Sequence, residues 1–402
     1  MTDIETRVIR TAESRPPGPD PVREATAELR SCPPLVLAAE CELLKRRLAQ
    51  AARGEGFVLQ CGARPATFDG ATGDTIRHRL RTLLQMSALL TYATSLPVVK
   101  ISRIAGPAGN PVSGYRSAAA TLNLVRAFAA GGYADLRRVH DWNLDFVANS
   151  PCGASYESLT TQIGRALTFM RACGTAPEPL RTVELFASHE GLLPDYDSAL
   201  TRADADTGRL YNTAGHFVGL GTGTRAGTGT GAEELDPARV DHAATISNPL
   251  GVVLGPDSGH DEALDRLDRL DPAREPGRLT FLVRMGGGPG SDRLSALIEK
   301  VTAEGHLVTW ICDPVHDTAS DAPRGGASSR FDAVRDRVTA FFDVHRALGT
   351  HPGGIHVELT GTDSGAGTVT DAPPAPGLSH SGALDLAFLV AELYRSGTGA
   401  GR

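Results

Sequence analysis

The sequence has no apolar run long enough to cross a membrane; charge or glycine interrupts each one within a few residues. Its first residues, MTDIETRVIRTAESRPPGPDP, are polar and carry no signal-peptide core, so a cytoplasmic protein without a membrane partner is expected. No CxxC pair is present either. The six cysteines (Cys32, Cys41, Cys61, Cys152, Cys173 and Cys312) are scattered, which speaks against a zinc knuckle or a disulfide framework and predicts reduced thiols. A basic stripe is also missing: the formal net charge is -7 with Lys and Arg dispersed, so no nucleic-acid partner is expected. No internal repeat is visible.

What is present is a regular alternation. Short β-branched runs at 57–61, 98–104, 181–188, 216–221, 251–255, 279–285, 307–313 and 354–359 alternate with amphipathic stretches such as IRHRLRTLLQMSALLTYA and FDAVRDRVTAFFDVHRAL. Eight strands joined by helices predict a (β/α)8 TIM barrel, and 402 residues with 41% hydrophobic content suffice for its core. The expected organisation is an N-terminal helical arm over 1–35 and one barrel domain over 36–402. Two stretches, 219–234 and 361–377, are so rich in glycine and threonine that they read as mobile loops.

Barrels of this kind carry their chemistry on the loops after the strands, which singles out Arg64, Arg103, His189 with Glu190, Thr222, Asp257, Arg284, Asp313 with His316, and Glu358. The runs Trp310-Ile-Cys-Asp-Pro-Val-His316 and His351-Pro-Gly-Gly-Ile-His-Val-Glu358 each look like half of a metal site at a barrel mouth. His316 and Glu358 read either as acid/base groups or as a hydrogen-bonded pair that keeps the mouth folded. Arg103 and Arg284 read either as binders of a carboxylate or single phosphate or as structural partners of Glu184 or Asp313. His189 and Glu190 read as structural or substrate-touching, and Cys61 as a nucleophile, a displaced metal ligand or a small apolar residue. Gly286 to Gly290 is a weak phosphate-loop signal, because it lacks a lysine.

The segments PPLVLAAECELLKRRLA, FVLQCGARPATF, RTLLQMSALLTYATSLPVVKISRIAG, SHEGLLPDY, NPLGVVLGP, CDPVH and HPGGIHVELTG resemble the class II 3-deoxy-D-arabino-heptulosonate 7-phosphate (DAHP) synthase family, in the family's order from about Pro33 on. The resemblance implies a metal-dependent, usually oligomeric barrel that condenses phosphoenolpyruvate with erythrose 4-phosphate. It also implies a divalent ion held by Cys, His, Glu and Asp. His316 and Glu358 match two of these; Arg64 aligns with the Cys and Ala375 with the Asp. Arg103 and Arg284 match the phosphoenolpyruvate-binding arginines. Four other cationic positions fall on neutral residues at Gly109 to Ser113, at Thr222-Gly223 and at Val253.

These departures lead to the expectation that DAHP synthesis is lost, each missing cation costing on the order of one to a few kcal/mol of binding. The leading expectation is a repurposed, metal-independent homo-oligomeric enzyme of specialised metabolism. It would use no cofactor and act on a small substrate with a carboxylate or single phosphate in a pocket made more apolar by Val112 and Val253. Arg64 would occupy the vacated metal site, hydrogen-bonded to Glu358. A non-catalytic pseudoenzyme or regulatory partner and a genuine DAHP synthase are the alternatives.

Overall fold

The computed structural model describes residues 21–62, 72–103, 111–150, 153–174, 183–190, 194–221, 237–256, 258–285, 290–315, 327–359 and 377–398. In chain order these form α1 (Pro21–Ser31), α2 (Ala38–Ala52), β1 (Phe57–Gly62), α3 (Gly73–Thr94), β2 (Val98–Arg103), α4 (Pro111–Ala130), α5 (Leu136–Asn149), α6 (Gly153–Ala172), β3 (Phe186–Glu190), α7 (Pro194–Leu200) and β4 (Thr201–Ala203). There follow β5 (Leu210–Asn212), β6 (Phe217–Leu220), α8 (Pro237–Thr245), β7 (Leu250–Leu254), α9 (His260–Leu270), β8 (Leu279–Val283), α10 (Gly290–Ala303), β9 (Thr309–Cys312), α11 (Ala327–Leu348), β10 (Gly354–Glu358) and α12 (His380–Thr398).

Eight strands close into a barrel in the order β1-β10-β9-β8-β7-β6-β3-β2, and every neighbouring pair is parallel. This is the (β/α)8 barrel that the alternation predicts, with a strand overlapping each expected run. Three details differ. The third strand starts only at Phe186, residues 183–185 having no strand pairing. A short antiparallel pair, β4 with β5, follows α7, and α5 is an additional helix between β2 and β3. Among the described residues no helix is long and apolar enough to cross a membrane.

Strand residues alternate between the barrel interior and the surrounding helices. Val58, Val99, Ile101, Phe186, Phe217, Val253, Leu282 and Ile311 make one apolar cluster inside the barrel. Phe57, Leu59, Cys61, Val252, Phe281 and Trp310 belong to the larger cluster beneath the helices. Both sets are buried, so the strands read as nearly continuous apolar runs.

Helix α2 closes the end where the strands begin. Leu44, Leu48 and Ala51 join the interior cluster, and the Leu48 carbonyl accepts a 3.1 Å hydrogen bond from Thr309 Oγ1 at the start of β9. Gly277, at φ +81°, lets the chain pass so near α2 that a Cβ would collide with the Lys45 carbonyl oxygen. With this end filled, the opening lies at the carboxyl ends of the strands. Helix α1 packs on the barrel's own helices, Leu29 lying with Tyr115 of α4 and Tyr196 and Leu200 of α7.

Lys100 of β2 points outward instead. It lines a cavity outside the barrel wall with Arg47, Glu184, Leu84, Ile163 and Leu167, and its Nζ donates to the Val98 carbonyl at 2.7 Å. Burial lowers its pKa to about 8 from an ordinary 10.5. The unfolded chain therefore binds more protons than the folded one between these values, and stability should rise with pH across that window. Lys100→Met should raise the thermal midpoint by a few degrees at pH 7, where the folded ammonium is charged, and the gain should shrink as pH climbs from about 8 to 10.5. Unfolding scans at pH 7 and 10 check this; an unchanged midpoint at pH 7 would contradict it.

Candidate active site

Alternation along the strands brings one set of charged side chains to the open mouth. In β2 the interior face carries Val99, Ile101 and then Arg103; in β3 it carries Phe186, Ser188 and Glu190; in β10 it carries Gly354, His356 and Glu358. Arg284 and Asp313 sit just past β8 and β9 and extend their ladders. Arg284 N donates to the Leu254 carbonyl at 2.9 Å and Asp313 N to the Val283 carbonyl at 2.8 Å.

Arg103 is the centre of this cluster. Its side chain is 7% exposed; Nη1 donates to Glu358 Oε1 at 2.9 Å and Nη2 lies 2.5 Å from Glu190 Oε1. Burial opposes its charge, but the fields of Glu190, Glu358 and Asp313 outweigh burial and raise its pKa above the ordinary arginine value. Asp313 pairs with the second arginine, its Oδ2 accepting from Arg284 Nε at 3.0 Å, and its charge also acts on Arg103. Arg284 is the more open of the two arginines at 18% exposed.

Each expected site residue can now be placed. Glu190, Asp313, Glu358, Arg103 and Arg284 come together. Glu184 does not pair with either arginine of the mouth: it binds Arg47 on the outer side at 2.8 Å. His189 takes the opposite parity from Glu190. Its Nε2 meets Asp197 Oδ1 of α7 at 2.7 Å and its ring lies by Tyr196, so it is turned away from the mouth. Cys61 likewise faces the helices, where burial pushes its thiol well up and the Glu358 charge adds to the shift. Val253 is inside the barrel, but Val112 packs with Leu29 and Tyr115 in the cluster under α1. Arg64, Thr222, Asp257, His316 and Ala375 lie outside the described residues, as do Gly286 to Pro289.

Three further residues belong to the site. His356 Nε2 stands 3.1 Å from Glu358 Oε1; its position two residues earlier on the same strand face was legible in the sequence. Gly62 pairs with Glu358 across β1 and β10, and a Cβ there would lie 2.8 and 2.9 Å from the two carboxylate oxygens. Arg79 of α3 also feels Glu358, whose charge partly offsets the burial that lowers its pKa. No local signal in the sequence marks Arg79.

The described residues do not complete a site for a divalent ion. No group of three or more His, Cys, Asp or Glu suited to a metal occurs among them. Of the ligands the family resemblance implies, only Glu358 is described. Its Oε1 is already shared by Arg103 and His356, and Cys61 faces away from it.

Residues 9–114 and 110–391 match the model of the Class-II DAHP synthetase family. Over 430 aligned positions the chain is 48% identical to phospho-2-dehydro-3-deoxyheptonate aldolase of Streptomyces coelicolor, covering 94% of each chain. It is 41% identical to phospho-2-dehydro-3-deoxyheptonate aldolase AroG of Mycolicibacterium smegmatis, covering 94% of this chain and 91% of the relative. The solved phospho-2-dehydro-3-deoxyheptonate aldolase of Francisella tularensis SCHU S4 superposes at TM-score 0.47 with 11% identity, over 92% of this chain and 96% of that one.

These identities overturn the expectation of a repurposed, metal-independent enzyme. That expectation rests on residue-by-residue correspondence over short stretches: Arg64, Thr222-Gly223 and Ala375 lie outside the described residues, Val253 lies within β7 and Pro111 to Ser113 within α4. An alignment of 430 positions for a chain of 402 residues contains gaps, and gaps fall in loops, where such correspondences are least secure. The resemblance itself holds over nearly the whole length, and the chain belongs to the class II DAHP synthase family.

Proposed function

We propose that the chain is a DAHP synthase, condensing phosphoenolpyruvate with erythrose 4-phosphate. The observation that carries this reading is the presence of Arg103 and Arg284 at the carboxyl mouth, Arg284 paired with Asp313, in a chain 48% identical to phospho-2-dehydro-3-deoxyheptonate aldolase of Streptomyces coelicolor. In this reaction C3 of phosphoenolpyruvate bonds to the aldehyde carbon, the aldehyde oxygen gains a proton, water adds at C2 and inorganic phosphate leaves. Both substrates are anions, so the chain must supply fixed positive charge in a water-poor site. Arg103 and Arg284 do so from rigid strand ends. Glu190, Glu358 and Asp313 hold the guanidinium groups in place, and the interior cluster of Val253, Phe217 and Leu282 closes the floor.

The test is direct. Purified protein with both sugar phosphates, assayed with and without manganese, should release phosphate in step with the seven-carbon product. Failure to form that product under either condition, with the protein folded, would overturn the proposal.

A further inference from the structure

We propose that Asp197 is a positioning residue for the reaction: acting through His189 from behind the barrel wall, it holds the end of β3 and so fixes the Glu190 carboxylate against Arg103. The inference rests on the reading of this chain as a DAHP synthase with Arg103 in its active site, and adds to that site a carboxylate that never faces the mouth.

Glu190 closes β3, and its support is one-sided. Toward β6 the ladder runs on to the pair of Glu190 with Gly219; toward β2 it stops, among the described residues, at the pair of Ser188 with Arg103. The backbone at Glu190 thus has a strand on one flank only, and the residue across that flank is a glycine with no side chain to brace it. Strand ends held in this way open more readily than strand interiors. Yet Glu190 and Arg103 form a buried ion pair 2.5 Å apart, whose geometry depends on where the β3 backbone stands.

The bracing comes from the outer face. His189 Nε2 meets Asp197 Oδ1 of α7 at 2.7 Å; a carboxylate has no proton to give, so the imidazole donates. Asp197 is itself held. The same oxygen accepts from Asn212 Nδ2 at 2.9 Å, Asn212 Oδ1 accepts from Ala214 N at 2.9 Å, and Asn248 Oδ1 accepts from Asn212 N at 2.8 Å. His189, Asp197, Asn212 and Asn248 are all buried. Gly215 lets the chain lie close against β3, since a Cβ there would come within 2.9 Å of His189 Cβ. His189 is thereby tied to α7 and to the segment between β5 and β6, while its neighbour Glu190 points the other way, at Arg103. Removing Asp197 leaves the donors of His189 and Asn212 unpaired in the wall and frees the end of β3, and the displacement reaches Glu190 one residue on.

The experiment combines amide hydrogen exchange with steady-state kinetics of DAHP formation, both on the full chain. In Asp197→Ala, amides at the end of β3 should exchange about tenfold faster and kcat/KM should fall about tenfold, while amides of β9, on the opposite side of the barrel, exchange as in the parent. Asp197→Asn keeps the shape and an acceptor oxygen but loses the charge; it should show both changes at about threefold, and it carries the test if the alanine variant does not fold. Asp271→Asn is the control for general destabilisation. It alters a buried carboxylate in the connection leading into β8, where Asp271 accepts from Glu275 N at 2.9 Å, and should leave β3 exchange and kcat/KM unchanged. Parent-like exchange at β3 in the folded Asp197 variants would show that Asp197 does not hold the strand. Faster exchange with kcat/KM equal to the parent's, or an equal loss of activity in Asp271→Asn, would reduce Asp197 to a structural residue. A parent that forms no seven-carbon product would instead overturn the proposed function and this role with it.

Discussion

Arg103→Met is expected to abolish DAHP synthesis and to cost the fold about 3–5 kcal/mol, the range found when one partner of a buried ion pair is removed. The reason is visible in what would remain. Glu190 and Glu358, 6% and 12% exposed, would keep their charges in the barrel mouth with Arg103 gone, and Asp313 would add a third. Methionine fills the volume but offers no donor. Arg103→Lys should recover much of the stability, since the charge returns. It should recover little activity, because one ammonium cannot serve Glu358 and a substrate anion with the planar fork. A fall in kcat/KM on the order of 10²-fold or more is expected for Lys and a total loss for Met. Thermal unfolding and the phosphate-release assay read the two effects separately. A Met variant that melts with the parent would show that Arg103 is not the keystone of this charge cluster.

The barrel was legible because its signal is local. Each strand is a short β-branched run between amphipathic helices, and eight of them fit one closed architecture. Which way each residue points was not legible. In a parallel barrel both strand faces are buried, so FASHE gives no clue that Glu190 looks into the mouth while His189 binds Asp197 behind the wall. Contacts between distant strands were equally hidden: Arg103 and Glu358 are 255 positions apart, and only the closure of β1 against β2 and β10 brings them together. The activity is obscured in the sequence for a different reason. A strand holds its register through paired backbone bonds, whereas a loop absorbs insertions and deletions at little cost. The loss of ligands at Arg64 and Ala375 depends on single positions in short stretches, whereas 48% identity extends over 94% of the chain.

Gly62→Ala is expected to cut activity about 10²-fold while leaving the fold nearly as stable, because it moves one carboxylate and little else. Gly62 ends β1 directly beside Glu358, and its carbonyl accepts from Leu359 N at 2.9 Å, so the backbone there cannot drift away from β10. A new Cβ would stand 2.8 Å from Glu358 Oε1 and 2.9 Å from Oε2, closer than carbon and oxygen tolerate. Something must yield, and the Glu358 side chain is the softest element present. Its carboxylate is nevertheless held by Arg103 at 2.9 Å and His356 at 3.1 Å, so displacing it also re-aims the guanidinium. The steric strain is confined to one side chain at the solvent end of the barrel and should cost less than about 2 kcal/mol. Glu358→Asp supplies the internal check. Shortening the acid by one methylene draws the carboxylate back from the added methyl group, so the double variant should be no worse than the poorer single one, in place of the product of two losses. A Gly62→Ala enzyme within twofold of the parent in kcat/KM would mean that the position of the Glu358 carboxylate does not matter to the reaction.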